Sequence, residues 1–270
     1  MKKFHLHLVS DATGETLISV AKAVLVQFKD AQPVQHLWSM IRNETSLKQA
    51  IDMIRENHGI VLYTILDRRL RSLLERECRA AKVPCVAVLD PTMRAIADFF
   101  GSKELGEPGI QHALDSEYFQ RIEAMSFTLA HDDGQGSEDL AEADVILLGV
   151  SRTSKTPTSI YLANRGLKVA NIPLVPGVPL PESLFKVQKP MVVGLVASAE
   201  RLMQIRRQRM LSLKAGLDGD YVDLDAIRRE IREARRLCAR HGWPVIDVSR
   251  RSIEETAAEI INLYQRRRGE

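Results

Sequence analysis

The sequence predicts an α/β fold in two parts, an N-terminal parallel βαβ sheet region over residues 1–110 and a second α/β region over 111–270. Three observations predict it. Short apolar runs alternate strictly with amphipathic stretches of helical period, which is the pattern of βαβ units on a mostly parallel sheet. A polar segment, residues 102–112, carries two glycines and a proline and interrupts that rhythm. Further on, an apolar strand over Asp144–Leu148 runs into a small-residue loop and then a helix.

The elements follow in order. Phe4–Val9 reads as a strand that ends in Ser10-Asp11-Ala12-Thr13-Gly14-Glu15-Thr16, and a helix then carries Leu17, Val20, Ala21, Val24, Leu25 and Phe28 on one face. A small-residue loop between strand and helix is a possible anion site. Asp11 stands at the carboxyl end of the strand, where α/β enzymes place functional side chains, although Asp11 or Thr13 equally suits a helix cap. Val34–Ile41 is a second strand, and Ser46-Leu47-Lys48-Gln49 reads as a capping box for a helix ending near His58-Gly59. His36 and His58 lack partners at ligand spacing and read as structural or exposed. Ile60–Leu66 is a strand, Arg68–Lys82 a helix and Cys85–Leu89 a strand. Asp90-Pro91 supplies an N-cap and a first-turn proline for a helix ending at Gly101.

Beyond the interruption, the pattern predicts a short helix over Tyr118–Glu123 and a strand over Ser126–Ala130, closed by His131-Asp132-Asp133-Gly134. Paired aspartates beside a histidine suit metal or acid–base chemistry, while Asp-Gly is also a turn signal.

Next comes Gly149-Val150-Ser151-Arg152-Thr153-Ser154-Lys155-Thr156, with a helix starting at Thr156 or Pro157. Strand, small-residue loop, Lys-Thr and helix form the layout of a phosphate-binding P-loop. Loop N–H groups and the helix N-terminus face the anion, the lysine reaches the outer phosphates, and the hydroxyl holds a metal. Ser154 stands where the pattern wants its second glycine, so a φ > 0 requirement there would be met at a cost in strain.

Lys168–Val175 is then a strand, Pro176–Pro181 a proline-rich link and Met191–Val196 another strand. Ser198-Ala199-Glu200 opens a helix with Arg201, Arg206, Arg207 and Arg209, which either close over phosphates or form a solvated face. Leu224, Ile227, Ile231, Ala234 and Cys238 form one apolar stripe, with Arg228, Arg229, Glu230, Arg232 and Arg235 on the solvent side. Pro244–Val248 is a last strand, and Ser252-Ile253-Glu254-Glu255 a capping box for the terminal helix. From Ala143 onward the order of elements resembles a small P-loop nucleotide-kinase core. No strand in that block ends in an obvious metal-binding aspartate, so any carboxylate must come from Asp11, Asp90, Asp132 or Asp133.

Composition bounds the partners. A net charge of +3, from 38 basic and 35 acidic residues, is too small to imply nucleic acid. No apolar run approaches the roughly 18 residues of a membrane span, and the N-terminus lacks a signal-peptide core. Cys78, Cys85 and Cys238 show neither zinc nor disulfide spacing, which suits a reducing compartment. The chain reads as soluble and cytoplasmic, without membrane or nucleic-acid partners.

Several strings together resemble one family: Val9-Ser10-Asp11-Ala12-Thr13-Gly14-Glu15-Thr16, His131-Asp132-Asp133-Gly134, Gly149 through Ser159, Tyr161-Leu162-Ala163-Asn164 and Ala170-Asn171-Ile172-Pro173-Leu174-Val175. Over essentially its whole length the chain resembles the regulatory proteins of pyruvate, phosphate dikinase and of phosphoenolpyruvate synthase. Thr153-Ser154 resembles the dikinase branch, since the synthase branch tends to carry Cys-Gly there.

The resemblance implies a bifunctional serine/threonine kinase and phosphorylase. It would phosphorylate a dikinase threonine with ADP as donor, and remove that phosphate by attack of inorganic phosphate with release of pyrophosphate. On this reading Gly149–Ser154 supply N–H groups, Lys155 faces the terminal phosphate, Thr156 holds Mg²⁺ if a metal is used, and Arg152 could reach phosphate. Asp11 is the expected base, with Asp132 as the alternative. A small-molecule kinase using ATP and a non-catalytic nucleotide-sensing module are the competing classes. Phosphoenolpyruvate synthase is the alternative target, and a homodimer is compatible with the sequence without being indicated by it.

Overall fold

The computed structural model describes residues 2–101, 116–213 and 219–269. The segment 102–112, where the sequence suggests a boundary, lies outside the described residues. The chain divides into two compact units, Met1–Ala113 and Leu114–Glu270.

In the N-terminal unit, β1 (Lys2–Ser10), α1 (Glu15–Leu25), β2 (Ala31–Trp38), α2 (Glu44–Glu56), β3 (Gly59–Thr64), α3 (Arg68–Ala80), β4 (Cys85–Ala87) and α4 (Asp90–Phe100) alternate along the chain. The four strands form a parallel sheet in the order β2-β1-β3-β4. Side chains of β1 alternate between two cores. Leu6 and Leu8 pack with Leu17 and Ala21 of α1, while Val9 joins Leu47, Ile51, Ile54, Leu70 and Leu74 from α2 and α3. Two start signals sit elsewhere than the sequence suggests. Asn43, not Ser46, caps α2, its side chain accepting the Ser46 N–H. Leu89 occupies the cap position of α4, and the Asp90 carboxylate pairs with Arg71 instead.

The C-terminal unit runs α5 (Ser116–Ala130), β5 (Val145–Gly149), α6 (Lys155–Ala163), β6 (Val169–Pro173), β7 (Met191–Val196), α7 (Ala199–Ser212), α8 (Leu224–His241), β8 (Val245–Asp247) and α9 (Ile253–Arg268). Its parallel sheet has the order β6-β5-β7-β8, the same permutation as in the first unit. Strands β5 and β7 are buried throughout, as their near-continuous Val, Ile and Leu require when helices cover both faces. Val145 and Leu147 meet Leu162 of α6 and Ala257 and Ile260 of α9; Ile146 and Leu148 face Cys238 of α8. A capping box between Ser252 and Glu255 opens α9.

The strand expected over Ser126–Ala130 is instead the last part of α5. Ser126-Phe127-Thr128-Leu129 alternates polar and apolar, which imitates a strand. Yet Ala124 and Thr128, one helical turn apart, are the residues that bury, and Leu129 stays 64% exposed. Tertiary packing decides the period. Among the described residues no helix is long and apolar enough to cross a membrane.

Candidate active site

Both sheets place their first strand between the second and the third. Successive crossovers therefore leave that strand in opposite directions, and its carboxyl end faces the crevice where α/β folds bind ligands. In the C-terminal unit the chain leaving this point is Gly149–Thr156.

The loop backbone is built for close approach. Gly149 has no room for a side chain, since a Cβ would lie 2.5 Å from the Leu195 carbonyl oxygen and 2.9 Å from Thr153 Oγ1. Arg152 and Ser154 adopt left-handed conformations, with φ of 73° and 62°, at a cost of about 1 kcal/mol each. The requirement suspected at Ser154 is therefore met by a serine. Helix α6 starts at Lys155, one residue ahead of the expected start, and Ser154 makes no side-chain cap bond. The first N–H groups of α6 thus remain open to an anion.

Lys155 is 6% exposed. Its ammonium donates to the Val150 carbonyl at 3.1 Å, and that oxygen also accepts from Thr153 Oγ1 at 2.9 Å. Burial depresses the Lys155 pKa to about 8, against the opposing attraction of Asp133 and then Asp132. A cation held out of water, short of counter-charge and at the mouth of a loop of open N–H groups calls for an anion.

A carboxylate reaches the loop from the turn after α5. His131-Asp132-Asp133-Gly134 is a turn, with Asp133 and Gly134 at φ of 53° and 85°, and it is strapped to β6. The Asn171 N–H donates to the His131 carbonyl and the Gly134 N–H donates to the Asn171 carbonyl. This register turns Asp132 toward the loop, where Thr156 Oγ1 donates to its carboxylate at 3.0 Å. The turn reading of this string holds, and the turn brings Asp132 against the loop. His131 faces away, stacked 3.8 Å from Phe127, with Nδ1 at 2.8 Å from the Phe127 carbonyl. Asp247 does end β8, but Ser249 and Arg235 occupy its carboxylate.

Asp11 belongs to the N-terminal unit. It is 4% exposed and its carboxylate accepts the Leu66 N–H at 2.7 Å, so it does not cap α1, whose cap residue is Gly14. Burial outweighs that bond and holds its carboxyl above the usual carboxylate range.

Two residues at the loop, Asn171 and Tyr221, escape sequence reasoning, and Arg206 takes a role other than those expected. Asn171 is 1% exposed and donates through Nδ2 to both Asp132 Oδ1, at 2.5 Å, and Thr156 Oγ1, at 3.0 Å. One amide inside the otherwise apolar Val169–Pro173 strand was the available signal. Arg206 is buried rather than closing over phosphate or facing solvent, and Glu230, assigned above to a solvated face, pairs with it at 2.7 Å. Tyr221 Oη lies 3.2 Å from Ser151 Oγ and accepts from Arg152 Nε at 3.4 Å; nothing in its sequence neighbourhood marks it.

Chemically, the unit offers a small-residue loop ahead of a helix N-terminus, a buried cation, and a hydroxyl–carboxylate pair of hard oxygen donors. That pair fits a cation such as Mg²⁺, which needs only one or two protein oxygens. Among the described residues no cluster of three or more His, Cys, Asp or Glu offers another metal site.

Comparison with known proteins gives the family. Residues 6–261 match the family model described as kinase/pyrophosphorylase. A protein of Rhizobium meliloti (strain 1021) is 56% identical over 98% of this chain and 97% of its own length. One of Caulobacter vibrioides is 53% identical over 98% and 84%, and one of Paramagnetospirillum magneticum 52% identical over 98% and 86%. All three are named "Putative pyruvate, phosphate dikinase regulatory protein". The chain belongs to the kinase/pyrophosphorylase family.

Proposed function

We propose that this chain regulates pyruvate, phosphate dikinase by ADP-dependent phosphorylation of a dikinase threonine and by phosphate-dependent, pyrophosphate-forming removal of that group. The supporting observation is the Gly149–Thr156 loop with its buried Lys155 and with Asp132 at Thr156. Nucleotide binding is assigned to the P-loop region, residues 111–270, with 1–110 as a separate α/β domain.

In the forward direction the threonine oxygen attacks the β-phosphorus of ADP. The new O–P bond forms as the α–β bridging bond breaks, AMP leaves, and the threonine proton passes to a carboxylate. In the reverse direction an oxygen of inorganic phosphate attacks the phosphothreonine phosphorus, the threonine O–P bond breaks as the pyrophosphate bridge forms, and the departing threonine oxygen is reprotonated. Both reactions shift negative charge without other covalent work, so positioning and charge neutralisation carry the catalysis.

The backbone N–H groups of Gly149, Val150, Ser151, Arg152, Thr153 and Ser154, with those opening α6, hold the phosphates. Lys155 faces the transferred group. Thr156 and Asp132 would hold Mg²⁺, which supplies charge neutralisation of the phosphates. Asn171 keeps the Thr156 hydroxyl and the Asp132 carboxylate aligned. Asp11 is the base, with Asp132 as the alternative.

The test uses dikinase charged on its histidine with phosphoenolpyruvate, ADP labelled at its β-phosphate, and ATP labelled at its γ-phosphate as comparison, free of adenylate kinase. Label on a dikinase threonine from ADP, lost with Lys155→Ala, is the expected result. Label on phosphoenolpyruvate synthase alone would move the target. No label from either nucleotide on either protein would sink the regulator reading and favour a small-molecule kinase.

A further inference from the structure

Arg206 of α7 is the largest fully buried side chain among the described residues, 1% exposed. A guanidinium has five N–H donors and cannot lose its charge, and here the contacts match that number. Nε donates to the Ser151 carbonyl at 3.4 Å. Nη1 donates to the Tyr221 carbonyl at 3.1 Å and to Glu230 Oε1 at 3.1 Å. Nη2 donates to the Ser151 carbonyl at 3.2 Å and to Glu230 Oε2 at 2.7 Å. The Tyr221 ring covers the guanidinium, 4.7 Å from its centroid. No donor remains for a phosphate.

The partner that connects this assembly to chemistry is the Ser151 carbonyl. In a trans peptide the C=O of one residue and the N–H of the next point in opposite directions. Drawing the Ser151 carbonyl to Arg206 therefore turns the Arg152 N–H to the opposite side of the loop. Arg152 sits at φ 73°, an unfavourable conformation that persists only where neighbouring contacts enforce it. Tyr221 adds a second restraint from the same assembly through Ser151 Oγ and Arg152 Nε.

We propose that Arg206, held by Glu230 and Tyr221, is a positioning residue for the phosphate loop: by fixing the Ser151–Arg152 peptide it aims the Arg152 N–H at the nucleotide. This rests on the reading that the loop binds the phosphates of ADP. Helices α7 and α8, which supply Arg206 and Glu230, then set the geometry of the loop.

A buried ion pair allows structural and positioning roles to be separated. Losing one partner strands a buried charge and destabilises the fold, whereas replacing both with apolar residues of similar size is often neutral. Thermal melting and ADP titration calorimetry on the full chain would compare wild type, Arg206→Met, the double change Arg206→Met with Glu230→Met, Arg206→Lys, and Lys155→Met. Arg206→Met should melt lower and bind ADP weakly. The double change should recover the wild-type melting temperature yet still bind ADP about 10- to 100-fold more weakly, the loss expected for a hydrogen bond to a charged group. Arg206→Lys keeps a charge opposite Glu230 but cannot span Ser151 and Tyr221, and should be folded with a similar defect.

If either folded replacement, the double change or Arg206→Lys, binds ADP as wild type does, the positioning role is overturned while the nucleotide reading stands. If wild type binds ADP no better than Lys155→Met, the nucleotide reading falls and the positioning role falls with it.

Discussion

Replacing Lys155 with methionine should stabilise the nucleotide-free protein while abolishing nucleotide binding. The interval from the ordinary lysine value of 10.5 down to about 8 corresponds to roughly 3 kcal/mol by which folding disfavours the ammonium. Methionine removes that penalty and loses one hydrogen bond to the Val150 carbonyl, worth about 1 kcal/mol. The net gain is about 2 kcal/mol, or roughly 4–8 °C in the melting temperature of a unit this size. The sign of the pH dependence follows from linkage. Below about pH 8 the lysine is protonated in both the folded and the unfolded states, so wild type carries the full penalty. Between about 8 and 10.5 only the unfolded chain keeps the proton, so wild-type stability rises relative to the variant and the gap closes. Calorimetric melting of both proteins at about pH 7 and about pH 10, without nucleotide, measures it. A variant that melts at or below wild type at neutral pH would refute the burial argument. A gap that does not narrow at high pH would refute the titration argument.

Other outcomes follow from the same geometry. Asp132→Asn should leave metal-free ADP binding nearly intact but lower phosphoryl transfer by about 100-fold or more, because Thr156 loses its anionic partner; rates titrated against Mg²⁺ check this. Gly149→Ala should cost about 2 kcal/mol or more, since its Cβ meets the Leu195 carbonyl of a paired strand at 2.5 Å, and denaturant unfolding would show it. His7 is buried beneath His36, with ring centroids 4.7 Å apart, and donates from Nε2 to the Asn57 carbonyl. Burial, followed by the nearby His36 and His5, depresses its pKa below 6.5 despite that bond. Its contribution to stability is therefore present above pH 6.5 and is lost as pH falls through the depressed value. Melting of the N-terminal unit between about pH 7 and about pH 5 should fall more steeply for wild type than for His7→Gln.

Legibility divides along physical lines. Strand–helix alternation and the Gly149–Thr156 loop are local, so hydrophobic period and small residues reveal them. The Ser126–Ala130 error arose because a four-residue alternation is compatible with both periods and only the burial of Ala124 and Thr128 decides between them. Asp132 was legible as a candidate but not as the partner of Thr156, because that contact depends on the register that Asn171 imposes across β6. Arg206 was the least legible. A buried arginine and an exposed one share the same residue type, and its depth follows from Glu230, 24 residues further along the chain.

The two units bury opposite charges behind loops of similar course. Each has its first strand between the second and the third, and each continues through a left-handed residue into a helix, Gly14 in one and Ser154 in the other. One loop buries a lysine, and the other buries the carboxylate of Asp11. Burial raises the Asp11 carboxyl pKa, which lies in the direction that makes a carboxylate a better proton acceptor. Folding therefore disfavours the Asp11 anion, a penalty present at neutral pH and relieved as pH falls through the raised value toward 3.8. Asp11→Asn keeps an oxygen for the Leu66 N–H and should raise the neutral-pH melting temperature of the N-terminal unit, the difference closing in acid. If Asp11 is the base, the same variant keeps Lys155-dependent ADP binding and loses transfer to the dikinase threonine. Full transfer by Asp11→Asn would exclude Asp11 as the base and leave Asp132 as the candidate.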